Sequence, residues 1–247
     1  MLQRAEGVVI KSFDYGEGNK IVKLLTETGK VTVMAKGAKK VKSRHSAVVQ
    51  MFTHADFVFY KSGDMGTLNH GETIQSFHAL RTDLYKSAYA AYLAEITDRL
   101  MEEQEGSSAI FHQLIAGFEA LEADKDPVIV MQTYELKMLH LAGYAPIFDT
   151  CVSCGAKERL SYFSPGMGGA LCTDCQTQDT YRMPVDDKAR KLLYMLQRLD
   201  LKRLGETNVS DGTKQQTQQL LRRFMDTHIH IKWKARSFLD QMKEYGI

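Results

Sequence analysis

Several absences in this sequence narrow its chemistry before any motif is read. No apolar run approaches the roughly 20 residues that a membrane-crossing helix requires, and no charged-then-apolar leader occupies Met1–Lys20. The expectation is a soluble, cytoplasmic chain without a membrane partner. There is no G-x-x-x-x-G-K-[ST] phosphate loop, no G-x-S-x-G elbow and no H-E-x-x-H helix, so the residues offer no signature of catalysis. No internal repeat or low-complexity tract stands out. Cysteine is scarce, with four in the whole chain, all between residues 151 and 175. Acid is missing where it would matter most: Thr28 to Ala55 holds no Asp or Glu.

Turning to what is present, 247 residues with 44% hydrophobic content can bury a sizeable core. The length lies between one large domain and two small ones, and more than one domain is expected. The net charge of +2 hides a segregation along the chain. Residues 1–80 carry eleven Lys and Arg against seven Asp and Glu, whereas residues 81–150 carry five against twelve. Residues 151–180 are nearly neutral, and residues 181–247 carry fourteen basic against eight acidic side chains. Such asymmetry favours a polyanionic partner for the basic parts.

The first 80 residues read as strands. Gly7–Phe13, Lys20–Thr26 and Lys30–Lys36 are rich in Val, Ile and Thr. The "TETGK" between the second and third is a hairpin signal, with Gly29 free to take positive φ. Val48–Tyr60 and Gly66–Ser76 are two further candidates. Five short strands with a longer connection after the third suggest a small closed β-unit, of which an OB-type barrel is the natural candidate. Other five-stranded barrels remain open to this pattern.

From Arg81 the period changes. Tyr85, Tyr89, Tyr92, Ile96 and Leu100 recur on one helical face, and Glu102, Glu103 and Glu105 mark a solvated end. A second helix starts near Ser108, using Phe111, Leu114, Ile115, Phe118 and Leu121. A third opens at "DPVIV", with Asp126 as N-cap, Pro127 in the first turn and Gly143 at the C-terminal cap. Leu192, Leu193, Leu196 and Leu199 begin another helical series, and Leu220, Leu221, Phe224 and Met225 belong to a further one. The expected architecture is therefore multidomain α+β. Residues 1–80 form the barrel, 81–146 and 184–247 a helical domain, and 147–183 an inserted four-cysteine ribbon.

The insertion reads "CVSCGAKERLSYFSPGMGGALCTDC". Cys151 and Cys154 form one C-x-x-C, Cys172 and Cys175 the other, with 17 residues between the pairs. Each pair offers two thiolates from a tight turn, and two such turns side by side supply the tetrahedral all-sulfur set that favours zinc. Two disulfides or four unconnected thiols are the alternatives, and a reducing cytoplasm argues against the first. No His or carboxylate is needed to complete the set, so one closed, structural Zn2+ is expected.

The acid-free stretch contains "AKGAKKVKSRHSA", with Lys36, Lys39, Lys40, Lys42 and Arg44 plus His45. Nothing near them in sequence neutralises these cations. Gly37, Ala38, Ser43 and Ser46 keep the segment polar and flexible, as suits a loop that lays cations along a phosphate backbone. A solvated loop kept charged for solubility is the plainer alternative, weakened by the loop's place on the expected OB-type barrel, a fold that commonly uses its face and loops for oligonucleotides. Tyr15, Phe52, Phe57, Phe59 and Tyr60 could add base-stacking surface, although strand alternation should bury about half of them. His228 and His230 lack a third ligand and read as surface or packing residues. Arg222, Arg223, Lys232, Lys234 and Arg236 around Trp233 form a second basic area near the end of the chain.

"EGVVIKSFDYGEGNKIVKLLTETGKVTVMAKGAKKVKSR" resembles the amino-terminal OB domain of the bacterial RecO recombination-mediator family. "YELKMLHLAGYAPIFDTCVSCG" and "YFSPGMGGALCTDC" resemble that family's carboxy-terminal region. The resemblance implies a non-enzymatic mediator in DNA repair and recombination, cytoplasmic and nucleoid-associated. Such a protein binds single- and double-stranded DNA, anneals complementary strands, and works with RecR and single-strand DNA-binding protein to load RecA onto gapped DNA. It implies DNA contacts at Lys36, Lys39, Lys40, Lys42 and Arg44, with Lys11, Lys20 and Lys23 as additions. The metal-ligand role falls on Cys151, Cys154, Cys172 and Cys175. A nucleic-acid-joining or cutting enzyme would need a nucleotidyl lysine motif or an acidic metal cluster, and neither is present. An RNA-binding or transcription-associated module is the alternative that the same loop and ribbon would serve.

Overall fold

Residues 1–103 and 106–246 are described by the computed structural model, which divides into two compact units. Unit 1 comprises Met1–Asp124 with Lys234–Ile247, and unit 2 comprises Lys125–Trp233. The change from strand to helix at Leu80 therefore falls inside unit 1, and the last helix returns to it.

Unit 1 begins with five strands: β1 (Leu2–Tyr15), β2 (Asn19–Thr26), β3 (Gly29–Ala35), β4 (His54–Ser62) and β5 (Met65–Gln75). They close in the order β1-β2-β3-β5-β4, with β4 paired back to β1. All pairings are antiparallel except β3 with β5. That single parallel seam and the closed order are those of an OB-type barrel, which the sequence pattern had left among several. The β2–β3 hairpin turns at Glu27–Thr28, and Gly29 takes a φ of +127° there. Inward-facing Val9, Val22, Leu24, Val33, Phe57 and Phe59 fill the interior. Truncating a buried Phe in such a core costs about 3–5 kcal/mol.

The fourth strand starts six residues later than Val48. Residues 48–53 instead form turns, and Val48 and Val49 join the barrel core together with Ala38. A strand pattern of apolar residues cannot be told from a hydrophobic plug by periodicity alone. Gly71 of β5 makes room for this plug, because a side chain there would press on Val48 at 3.0 Å.

A one-turn helix α1 (Ala79–Thr82) leads into α2 (Leu84–Leu100) and α3 (Ser108–Glu122). Asp83 caps α2 through Lys86 N–H, and Ser107 caps α3 through Ile110 N–H. Tyr89, Tyr92 and Ile96 are buried as expected, whereas Tyr85 is 43% exposed in the first turn, its ring 5.2 Å from Tyr89. Glu103 is engaged by lysines and is not merely solvated; Glu105 lies outside the described residues. The last helix of the chain, α7 (Lys234–Glu244), packs on α2, and its first amides, from Lys234 and Ala235, donate to the Glu95 carboxylate at 2.9 and 2.7 Å. A carboxylate at a helix N-terminus meets both free N–H groups and the positive end of the dipole.

Unit 2 holds α4 (Pro127–Leu141), a small sheet of β6 (Leu160–Ser164), β7 (Gly169–Cys172) and β8 (Met183–Pro184), then α5 (Asp187–Arg198) and α6 (Asp211–His228). Asp126 caps α4 through Val128 and Ile129 N–H, with Pro127 at its first position, and Gly143 past its end has φ +79°. The sheet order is β7-β6-β8. The chain around Ile147 runs alongside Gly169, where a side chain would collide with the Ile147 backbone, so only glycine fits. Phe148, Phe163 and Phe224 link ribbon and helices, with ring centroids 5.7 and 6.0 Å apart along that series. Among the described residues, no helix is long and apolar enough to cross a membrane.

Candidate nucleic-acid interface and four-cysteine centre

Residues 36–53 connect β3 to β4, and their geometry follows from alternating anchors and cations. Ala38 and His45 turn inward, while Lys36, Lys39, Lys40, Lys42 and Arg44 are exposed. Successive turns order the backbone in place of a featureless loop: Lys40 N–H donates to Gly37 O, Ser43 to Lys40 O and Ser46 to Ser43 O at 2.9–3.2 Å. The connection is also tied to the β1–β2 turn, through Lys39 N–H to Gly18 O at 3.0 Å and Gly37 N–H to Asn19 Oδ1 at 2.9 Å.

The cations do not share one electrostatic state. Among the described residues, Lys36, Lys40, Lys42 and Arg44 have no carboxylate within 4.0 Å, whereas Lys39 Nζ lies 3.0 Å from Asp14 Oδ2. Lys20 reaches the other oxygen of Asp14 at 2.9 Å. Hydrogen bonds from Lys20 and then Lys39 hold the Asp14 carboxyl below its usual range. Lys11 and Lys23 face α2 instead: Asp98 lies 3.4 Å from Lys11 and 2.8 Å from Lys23, and Glu103 lies 2.9 Å from Lys23. Burial would raise the Asp98 carboxyl, but the Lys23 hydrogen bond and the charges of Lys23, Lys11 and Lys30 outweigh it and lower the value. Burial, then the charges of Arg44 and His70, lower the His45 pKa and disfavour its charged form.

The cysteines are positioned by two tight turns. Gly155, at φ +77°, closes the first by returning its N–H to Cys151 O at 2.8 Å; Cys175 N–H closes the second on Cys172 O at 3.2 Å. Cys151 and Cys172 are buried, Cys154 is exposed, and all four are free thiols. Their sulfurs lie within 4.8 Å of one another, and Cys154 and Cys172 are 3.7 Å apart. With Zn–S of about 2.3 Å, the edge of an S4 tetrahedron is about 3.8 Å; a disulfide would need about 2 Å. Burial pushes the Cys151 thiol up, but backbone N–H groups of Cys172, Cys154 and Ser153 overcome this and bring it to about 6. At Cys175 the Ser153 side chain favours the thiolate, yet neighbouring Cys154, burial and the sulfurs of Cys172 and Cys151 push it up to about 12. Four crowded sulfurs cannot all ionise unaided, and a thiophilic cation at their centre would remove that conflict. The donor set therefore fits a closed metal site.

The family models match in the same order as these elements. Residues 1–77 match the one described as Recombination protein O N terminal, and residues 81–237 match Recombination protein O C terminal. The chain belongs to the RecO family. The DNA repair protein RecO of Bacillus pumilus (strain SAFR-032) is 40% identical over 244 residues, covering 98% of this chain and 95% of its own length. Those of Bacillus mycoides (strain KBAB4) and Bacillus cereus (strain AH187) are each 39% identical over 248 residues, 100% of both chains. This is accordingly a RecO-family DNA repair protein with an OB-type barrel and a four-cysteine cluster.

The remaining sequence candidates of this RecO-family chain divide between packing and exposed surface. Phe52, Phe57 and Phe59 are buried, leaving Tyr15 and Tyr60 exposed at 51% and 53%. His228 gives its ring to packing, 4.5 Å from Phe224 and bonded to Pro165 O at 2.8 Å, and neither it nor His230 belongs to a cluster of three or more metal-ligating side chains among the described residues. Trp233, placed by the sequence at the centre of a basic area, is 2% exposed. Sequence reading passed over Asp14, Asp98 and Arg81. Asp98 lies far along the chain from the lysines it meets, whereas Asp14 faces Lys20 across the β1–β2 hairpin and meets Lys39 only through the fold.

Proposed function

We propose that this chain is a non-catalytic recombination mediator that binds single- and double-stranded DNA without reading sequence. It anneals complementary strands and acts with RecR and single-strand DNA-binding protein in loading RecA onto gapped DNA in the nucleoid. The observation that carries the reading is the exposed, carboxylate-free set Lys36, Lys40, Lys42 and Arg44 on the β3–β4 connection of a closed OB-type barrel. Cations on a backbone ordered by turns can displace condensed counterions from two polyanions at once, which lowers the repulsion between strands that must pair. Phosphate contacts carry no base information, so binding tolerates any sequence. Lys39 and Lys20 are reserve cations, available when a phosphate displaces Asp14. Lys11 and Lys23 contribute less, because Asp98 already neutralises them.

Cys151, Cys154, Cys172 and Cys175 would hold one zinc ion, whose bonds cross-link two turns that share a core of few residues, chiefly Leu160, Ala170 and Leu171. Its role in this reading is structural.

The test is annealing of complementary oligonucleotides coated with single-strand DNA-binding protein, with and without the chain and RecR. Faster annealing that resists excess RNA of equal length is expected. A chain that binds the coated strands but leaves the rate unchanged would overturn the mediator reading, and preferential capture by RNA would favour an RNA-binding module.

A further inference from the structure

A cavity of about 360 Å³ opens in unit 1 between the barrel strands β1 and β2, the end of the β3–β4 connection and the helices α1 and α2. It is lined by Ser12 of β1, Lys20 of β2, Gln50 and Phe52 at the end of the β3–β4 connection, Arg81 of α1 and Ser87 of α2. Its lining includes two cationic and two hydroxyl-bearing residues and, among the described residues, no carboxylate. Its size is at the lower end of small-ligand clefts.

Arg81 is the unusual member. Its Nη1 donates to Met51 O at 3.1 Å and to Ser76 O, which fixes the guanidinium plane. Its Nε and Nη2 have no protein acceptor, and no carboxylate lies within 4.0 Å, among the described residues. The charge of Glu122 reaches it only at longer range, and burial disfavours its charged form. A partly desolvated cation without a counter-ion is costly unless an anion completes it. The unoccupied Nε–Nη2 edge is the fork that takes two phosphate oxygens. The Ser12 hydroxyl is buried without a hydrogen-bond partner, a second unfulfilled donor at the same cavity. Asp14 links this cavity to the connection, since its carboxylate lies between Lys20 and Lys39 at 2.9 and 3.0 Å.

We infer that this cleft is a phosphate subsite for a nucleic-acid backbone, with Arg81 as the bidentate donor, Lys20 as the point charge and Ser12 and Ser87 as hydroxyl donors. A strand held on Lys36–Arg44 continues past Gln50 into it, and the entering phosphate takes the place of Asp14 on Lys20. This inference rests on the DNA-binding reading above and locates where that strand is gripped most specifically.

The experiment titrates a labelled single-stranded oligonucleotide with the full chain and with R81K and S87D, across a salt series, while inorganic phosphate is added separately and the melting midpoint followed. R81K keeps the charge and loses the fork, so affinity should fall about tenfold with the salt slope unchanged. S87D leaves the Arg81 hydrogen bonds intact and places an anion in the cleft, so affinity should fall and the slope should become shallower by about 0.7. Wild-type affinity and slope in both folded variants would overturn the subsite while leaving the interface on the connection untouched. No DNA binding by the unmodified chain would overturn the subsite and the parent reading together. If the variants lose only the rise in midpoint given by inorganic phosphate, the cleft takes free phosphate and the strand assignment fails.

Discussion

Replacing Lys40, Lys42 and Arg44 together by Gln removes three of the four cations on the β3–β4 connection that lack a carboxylate partner among the described residues, while the inward anchors Ala38, His45, Val48 and Val49 stay in place. If each free cation meets one phosphate of a single strand, the four contribute about −2.8 to the slope of log K against log salt, and the variant loses about 2.1 of it. With the same intercept at about 1 M salt, that difference weakens binding about 50-fold at about 0.15 M. Fluorescence anisotropy at four or five salt concentrations reads both quantities. Lys23→Gln is the internal control, because Asp98 and Glu103 hold that side chain and its loss should leave the slope within about 0.3 of wild type. An unchanged slope in the triple variant, or an equal loss in Lys23→Gln, would refute the argument that unpaired cations set the affinity.

Three further outcomes follow from named contacts. Asp14→Asn frees Lys20 and Lys39 from their shared carboxylate, so DNA binding should tighten and its salt slope steepen in the same anisotropy assay. Elemental analysis should find about one zinc per chain, absent from Cys151→Ser/Cys172→Ser, and chelation should lower the melting midpoint of the wild type. Asp98→Asn should cost about 3 kcal/mol in urea unfolding, because it removes the carboxylate facing Lys23 and the nearly buried Lys30. The Asp98 pKa is lowered in the folded chain. Its contribution is therefore complete above the ordinary carboxylate pKa of about 4 and lost as pH falls through the lower folded value. The stability difference between wild type and Asp98→Asn should accordingly shrink on acidification, as followed by circular dichroism from pH 7 to pH 3.

The parts of this molecule that were legible in the sequence are those decided within a few residues. Asp126 and Pro127 start α4, Gly29 turns the β2–β3 hairpin, and the C-x-x-C turns bring paired sulfurs to one point. Each depends on backbone geometry that one side chain or one spacing dictates. The plug at Val48–Val49 was misread as strand because its apolar residues match both readings, and only closure of the barrel supplies the space they fill. The break after His228 and the return of Lys234–Glu244 to α2 were equally hidden, since Glu95, which caps that helix, lies far upstream.

The same division of scale separates the two candidate sites. Sequence alone determined the sulfur donor set and the presence of a basic connection, because a ligand set and a run of like charge are local properties of the chain. Which of those cations remain free for phosphate was decided by tertiary structure. The β1–β2 hairpin alone brings Asp14 opposite Lys20, but Asp14 reaches Lys39 only when the β3–β4 connection folds back on that hairpin, and Asp98 reaches Lys11 and Lys23 only when α2 packs against the barrel. Electrostatic pairing depends on separation in space, and folding sets that separation independently of distance along the chain.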